Sequence, residues 1–97
     1  MGILSQHTLL DTSSAGAGTS YPLDWRSTMS QERSVTVAKN TSDSVAIEVS
    51  VDNSSWVQAV NFATGSTSGA AVIAGPWKYI RANKTGTTAT ATVIGLL

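Results

Sequence analysis

The longest clean alternation in the chain runs through residues 45–52. Val45, Ile47, Val49 and Val51 fall on one side; Ala46, Glu48, Ser50 and Asp52 fall on the other. A period of two is that of a strand with one face in a core. Asp52, Asn53, Ser54 and Ser55 follow, residues that tolerate left-handed backbone and bond their own chain, so a tight turn is expected there. Residues 56–62 return as the next strand, opening on Trp56. After a small-residue loop come a short apolar run over 70–74, the breaker Gly75-Pro76, and a strand over 77–83. In that strand Trp77, Tyr79 and Arg81 share one face, and Lys78, Ile80 and Ala82 the other. A last strand over 88–94 alternates Thr with Ala and Val.

Upstream the pattern is looser. Val35 and Val37 alternate with Thr36 and Ala38. Residues 3–10 suit a strand or an extended arm. Residues 11–20, DTSSAGAGTS, carry no helical stripe and read as a small-residue loop. Pro22 holds Tyr21 extended, and residues 26–33 are a polar loop or a single helical turn. Short strands at roughly 8–12-residue spacing predict an all-β fold. The expectation is a small antiparallel β-sandwich, jelly-roll-like or Ig-like, over 21–97, with an N-terminal arm or loop over 1–20. The expected core is Val35, Val37, Val45, Ile47, Val49, Val51, Trp56, Trp77, Tyr79 and Val93. Ile3, Leu4, Leu9, Leu10, Tyr21, Leu23 and Trp25 are expected to face a subunit or another partner.

Composition narrows the function. Charged residues are 12% of 97, against about 25% in ordinary domains, and six basic residues balance six acidic ones. That leaves no electrostatic footprint for nucleic acid or an anionic membrane. Ser and Thr together number 27, so hydroxyls carry much of the solvation. A weakly charged, neutral surface favours association. The absence of Cys excludes disulfides, thiolate metal sites and Cys nucleophiles. No apolar run approaches the ~18 residues of a membrane helix, and the opening MGILSQHTLLD lacks the basic start and apolar stretch of a signal peptide.

Candidate chemistry is sparse. His7 is the sole histidine, and the six acids fall mostly in turns and loops, where they cap backbone groups. No catalytic residue, metal ligand or cofactor is expected, and the chain is read as no enzyme. Asp52 to Ser55 could offer oxygens to calcium, but turn chemistry explains the same residues. Arg81 is expected to stack on Trp77 or Tyr79, or to pair with Glu48 across the sheet. Exposed aromatics such as Trp25, Trp77 or Tyr79 would suit a carbohydrate-binding module.

The run VAIEVSVDNSSW, a spacer, and then GPWKYIRANKTGTTATATVIG resembles small structural proteins of tailed bacteriophages. In these, a strand ending in an Asp turn and a Trp precedes a Gly-Pro-aromatic strand and a Thr-rich final strand. A familiar form has Gly after the turn aspartate; here Asn53 stands in its place, which its left-handed tolerance permits. The resemblance implies a virion component without catalysis. Within that class it favours a capsid decoration, or cement, protein, bound to the outer shell and bridging major capsid subunits as a homotrimer or dimer. A tail, neck or fibre-associated module is the alternative from the same resemblance.

Overall fold

The computed structural model describes residues 6–23, 32–87 and 89–96, all in strands and their connections. Nine strands follow in order: β1 (Gln6–Thr12), β2 (Gly16–Ala17), β3 (Tyr21–Pro22), β4 (Glu32–Ala38), β5 (Ser44–Ser50), β6 (Trp56–Phe62), β7 (Ser68–Ala74), β8 (Tyr79–Thr85) and β9 (Ala91–Leu96). They form two antiparallel sheets. Sheet A runs β1-β9-β4-β7; sheet B runs β2-β8-β5-β6, with β3 also on β8. The fold is a small β-sandwich, as the spacing predicts.

The strand order selects between the two expected topologies. β2 and β3 lie end to end along β8, so they act as one broken strand. The pairings are then nested: β1 with β9, β2/β3 with β8, β4 with β7, β5 with β6. That is one long antiparallel hairpin rolled up on itself, which is the jelly roll.

The core lies between the sheets. Val35, Val37 and Val93 enter it from sheet A, and Val45, Ile47 and Val49 from sheet B, all buried as expected. Ile73, Ile80, Ala82 and Ala91 join them. Each fully buried side chain of Val or Ile size contributes about 1.5–3 kcal/mol of transfer free energy, so this small set accounts for much of the favourable side of folding.

Three expected core positions fall elsewhere. Val51 is 57% exposed, because β5 ends at Ser50 and Val51 already belongs to the turn. Tyr79 and Trp56 both pair with Ser50 and share the outer face of sheet B. The register explains this: Val49 opposes Ile80 and Ile47 opposes Ala82, so β8 turns Ile80 and Ala82 inward and Tyr79 and Arg81 outward. Trp77 is half-buried against the core margin, and its indole N–H donates to the Ala74 carbonyl at 3.1 Å.

The expected arm over 1–20 is not an arm from Gln6 onward. β1 is a full strand of sheet A. Thr8 pairs with Ile94 and Leu10 with Val93, leaving Leu9 unpaired in a bulge. A regular strand would send only one of two adjacent leucines inward; the extra residue of a bulge lets both enter the core, and both are buried. The small-residue loop then carries the chain from sheet A to sheet B at close quarters. The Gly18 N–H donates to Ala82 O at 2.7 Å, and a Cβ on Gly18 would stand 2.2 Å from the Leu9 carbonyl oxygen. Only glycine fits that corner.

Leu9, Leu10 and Leu23 are therefore corrected from interface to interior, and Tyr21 to the margin of the core. Leu23 is buried, and its N–H bonds Lys78 O at 2.7 Å. Tyr21 packs against the core margin, lies 5.0 Å from the His7 ring, and donates its hydroxyl to Thr8 O at 3.0 Å, joining the two sheets. Ile3, Leu4 and Trp25 lie outside the described residues, as do 26–31 of the predicted polar loop.

Candidate interaction faces

The outer face of sheet B carries the densest group of side chains with binding chemistry. β5 and β8 place Glu48 directly opposite Arg81. Arg81 Nε donates to Glu48 Oε1 at 2.7 Å, with both side chains partly exposed. The same guanidinium lies over the Trp56 ring, 4.1 Å from its centroid. Thus Arg81 pairs with Glu48, as one sequence reading expects, but stacks on Trp56 rather than on Trp77 or Tyr79. Asn83 Nδ2 lies 3.5 Å from the other Glu48 oxygen. Tyr79 completes the group, next to Arg81 along the face. An exposed ion pair of this kind contributes about 0–1 kcal/mol. The arrangement holds an aromatic ring, a cation and an amide together on one face of the sheet.

The outer face of sheet A has the opposite character. One rung across its four strands reads Thr8, Ile94, Thr36, Ala70. The next reads Gln6, Leu96, Ser34, Val72. Among the described residues, charges appear on it only at its margins, at Asp11 and Glu32. Val72 is 61% exposed and Leu96 41%. The low charge of the whole chain is thus concentrated into one neutral surface of hydroxyls and small apolar groups.

At one end of the sandwich the sequence reading missed a buried ionic cluster. Lys84 and Asp43 are almost wholly buried and pair at 2.8 Å. The remaining Lys84 protons go to the Ser13 and Gly86 carbonyls. Lys39 donates to the Asp43, Ala63 and Ser66 carbonyls, each at 2.8 Å, with Asn40 O at 3.2 Å. Four connections, β1–β2, β4–β5, β6–β7 and β8–β9, are tied to two ammonium groups. A Cβ at Gly86 would stand 2.2 Å from Asp43 Oδ1, so that position admits no side chain. A signal for the cluster was present. Lys39 continues the inward series Val35, Val37; Lys84 continues Ile80, Ala82; Asp43 precedes Val45, Ile47. Charges placed in step with an apolar period of two mark the ends of the core.

The 52–55 turn is self-contained, as expected. Asp52 Oδ1 accepts from the N–H groups of Ser55 at 2.7 Å and Ser54 at 2.9 Å, and from the Ser50 hydroxyl at 2.9 Å. Asn53 takes the left-handed backbone that glycine would otherwise supply, with φ of 62°. The two amide bonds, then the Ser50 hydroxyl, lower the Asp52 pKa from 3.8 to about 2. With that oxygen already accepting three bonds, the turn is explained by its own chain. Among the described residues no three His, Asp or Glu side chains gather as a metal site.

Comparison with protein-family models, curated proteins and solved structures returned no match for this chain.

Proposed function

We propose that this chain is a non-enzymatic structural protein of a tailed-phage virion, a capsid decoration protein that binds the outer shell and stabilises contacts between major capsid subunits. The observation that carries the reading is the neutral outer face of sheet A, read together with the resemblance of residues 35–94 to small phage structural proteins. A face with charge only at its margins can lie against a repeating shell without needing matched charges at each site. Binding only to the assembled shell stabilises it by mass action, and a homotrimer or dimer engaging neighbouring subunits adds avidity.

The test is co-sedimentation of the purified chain with mature capsids and with procapsids. Binding to mature capsids in hundreds of copies, lost in T36K/I94K while the fold persists, is the expected result. A few copies at a tail vertex by immunogold labelling would instead assign it to the tail or neck.

One observation favours a second reading, a carbohydrate-binding module for the host surface. Trp56, Tyr79, Arg81, Glu48 and Asn83 form an aromatic and polar group on the outer face of sheet B. Glycan-array binding that disappears in Y79A or W56A would support it.

A further inference from the structure

Lysine is rarely buried unless a charge of opposite sign is buried with it. Lys39 departs from that rule. It is 7% exposed, and among the described residues no carboxylate pairs with it; the Asp43 carboxylate is taken by Lys84. Its ammonium group is met by neutral main-chain oxygens. Asp43 O, Ala63 O and Ser66 O each lie at 2.8 Å, and Asn40 O at 3.2 Å. They come from two connections, β4–β5 and β6–β7. Carbonyl oxygens converging on one point replace the water shell of a cation without adding charge, which is how proteins take up potassium. Calcium and magnesium call for carboxylates and for shorter contacts, about 2.0–2.6 Å. An ammonium group and a potassium ion share one charge and nearly one size. The cage is also braced without the ammonium. The Lys39 N–H donates to Thr67 O at 2.9 Å and the Gly65 N–H to Thr41 O at 2.8 Å, so backbone bonds join the two connections. Asn40 Oδ1 accepts from the N–H groups of Ser42 and Asp43, and Ser66 Oγ donates to Ala63 O.

We infer that this cage is a site for a monovalent cation, sized for ammonium and potassium, which the chain fills with its own side chain. Tethering the cation to the backbone spares the cost of capturing a free ion. It also makes this end of the sandwich indifferent to which salt surrounds it. A chain without the ammonium takes up potassium from solution in its place. The inference is independent of both the virion and the carbohydrate readings.

The experiment is thermal unfolding of full-length wild type, K39A and K39M in the chlorides of potassium, ammonium, sodium and tetramethylammonium at equal ionic strength. K39A opens the cage; K39M keeps most of the stem and caps the oxygens with a methyl group. Wild type and K39M are each expected to melt at one temperature in potassium and in sodium. K39A is expected to melt about 5 °C higher in potassium or ammonium than in sodium, with a gain that grows with concentration as mass action requires. Tetramethylammonium, too large for the cage, is expected to give no gain. K39A melting alike in potassium and sodium would overturn the inference. So would wild type or K39M showing the same gain as K39A, since a general salt effect would then explain it. If K39A is unfolded in sodium, recovery of the wild-type circular dichroism spectrum in potassium supports the inference, and a chain unfolded in both overturns it.

Discussion

Lys84 and Asp43 show how single charges act in a chain with few of them. Their pair is buried at the rim of the core, where each ion's desolvation is offset by the other and that of Lys84 also by the Ser13 and Gly86 carbonyls. Removing one partner leaves a buried charge alone, so D43A or K84M is expected to lose about 3–5 kcal/mol in urea unfolding. The double variant D43L/K84M is expected to lose less than either single variant, because no lone ion remains. Asp52 offers a second test at this scale. Its folded pKa, about 2, lies below its unfolded value of 3.8. Its contribution is therefore complete above 3.8 and lost as pH falls through about 2. An NMR titration of the Asp52 carboxyl carbon should show a midpoint near 2; a midpoint at or above 3.8 would refute the bonding described. The Asp52 turn was legible in the sequence because Asp, Asn and Ser act on their own backbone. The ionic cluster was harder to read, since Lys39, Asp43 and Lys84 meet only through the long-range pairing of their strands.

At the scale of elements, the alternation of residues 45–49 was enough to locate β5 and its inward face. The aromatic strands were not readable in the same way. β8 offers Tyr79 and Arg81 on one side and Ile80 and Ala82 on the other, and only the register against β5 decides which side turns inward. Period-two reasoning also allowed at most one of Leu9 and Leu10 into a core, so a bulge was needed to bury both. Since β1 supplies these leucines, L10A is expected to cost about 2–5 kcal/mol. Deleting residues 1–12 should abolish the cooperative thermal transition by circular dichroism. A trimmed chain that melts as sharply as the full one would restore the view of this segment as an arm. By contrast W56A removes a ring that Arg81 covers on the outer face, and a cation–π contact there is worth about 0.5–1 kcal/mol. Its melting curve should shift only slightly.

The whole molecule joins a well-tied end and a neutral broad face. The all-β class was legible from turn spacing and alternation, whereas the jelly-roll order was not, because nested pairing leaves no local trace in a sequence. For the same reason the neutral face of sheet A was invisible beforehand: Thr8, Ile94, Thr36 and Ala70 become neighbours only once β1, β9, β4 and β7 lie side by side. The nesting of β1 against β9 has a consequence during synthesis. β1 must wait for β9, which is made about eighty residues later, so Leu9 and Leu10 leave the ribosome before the strand they pair beside. The sandwich cannot close by stages; it stays open, and within reach of chaperones and proteases, until β9 has emerged.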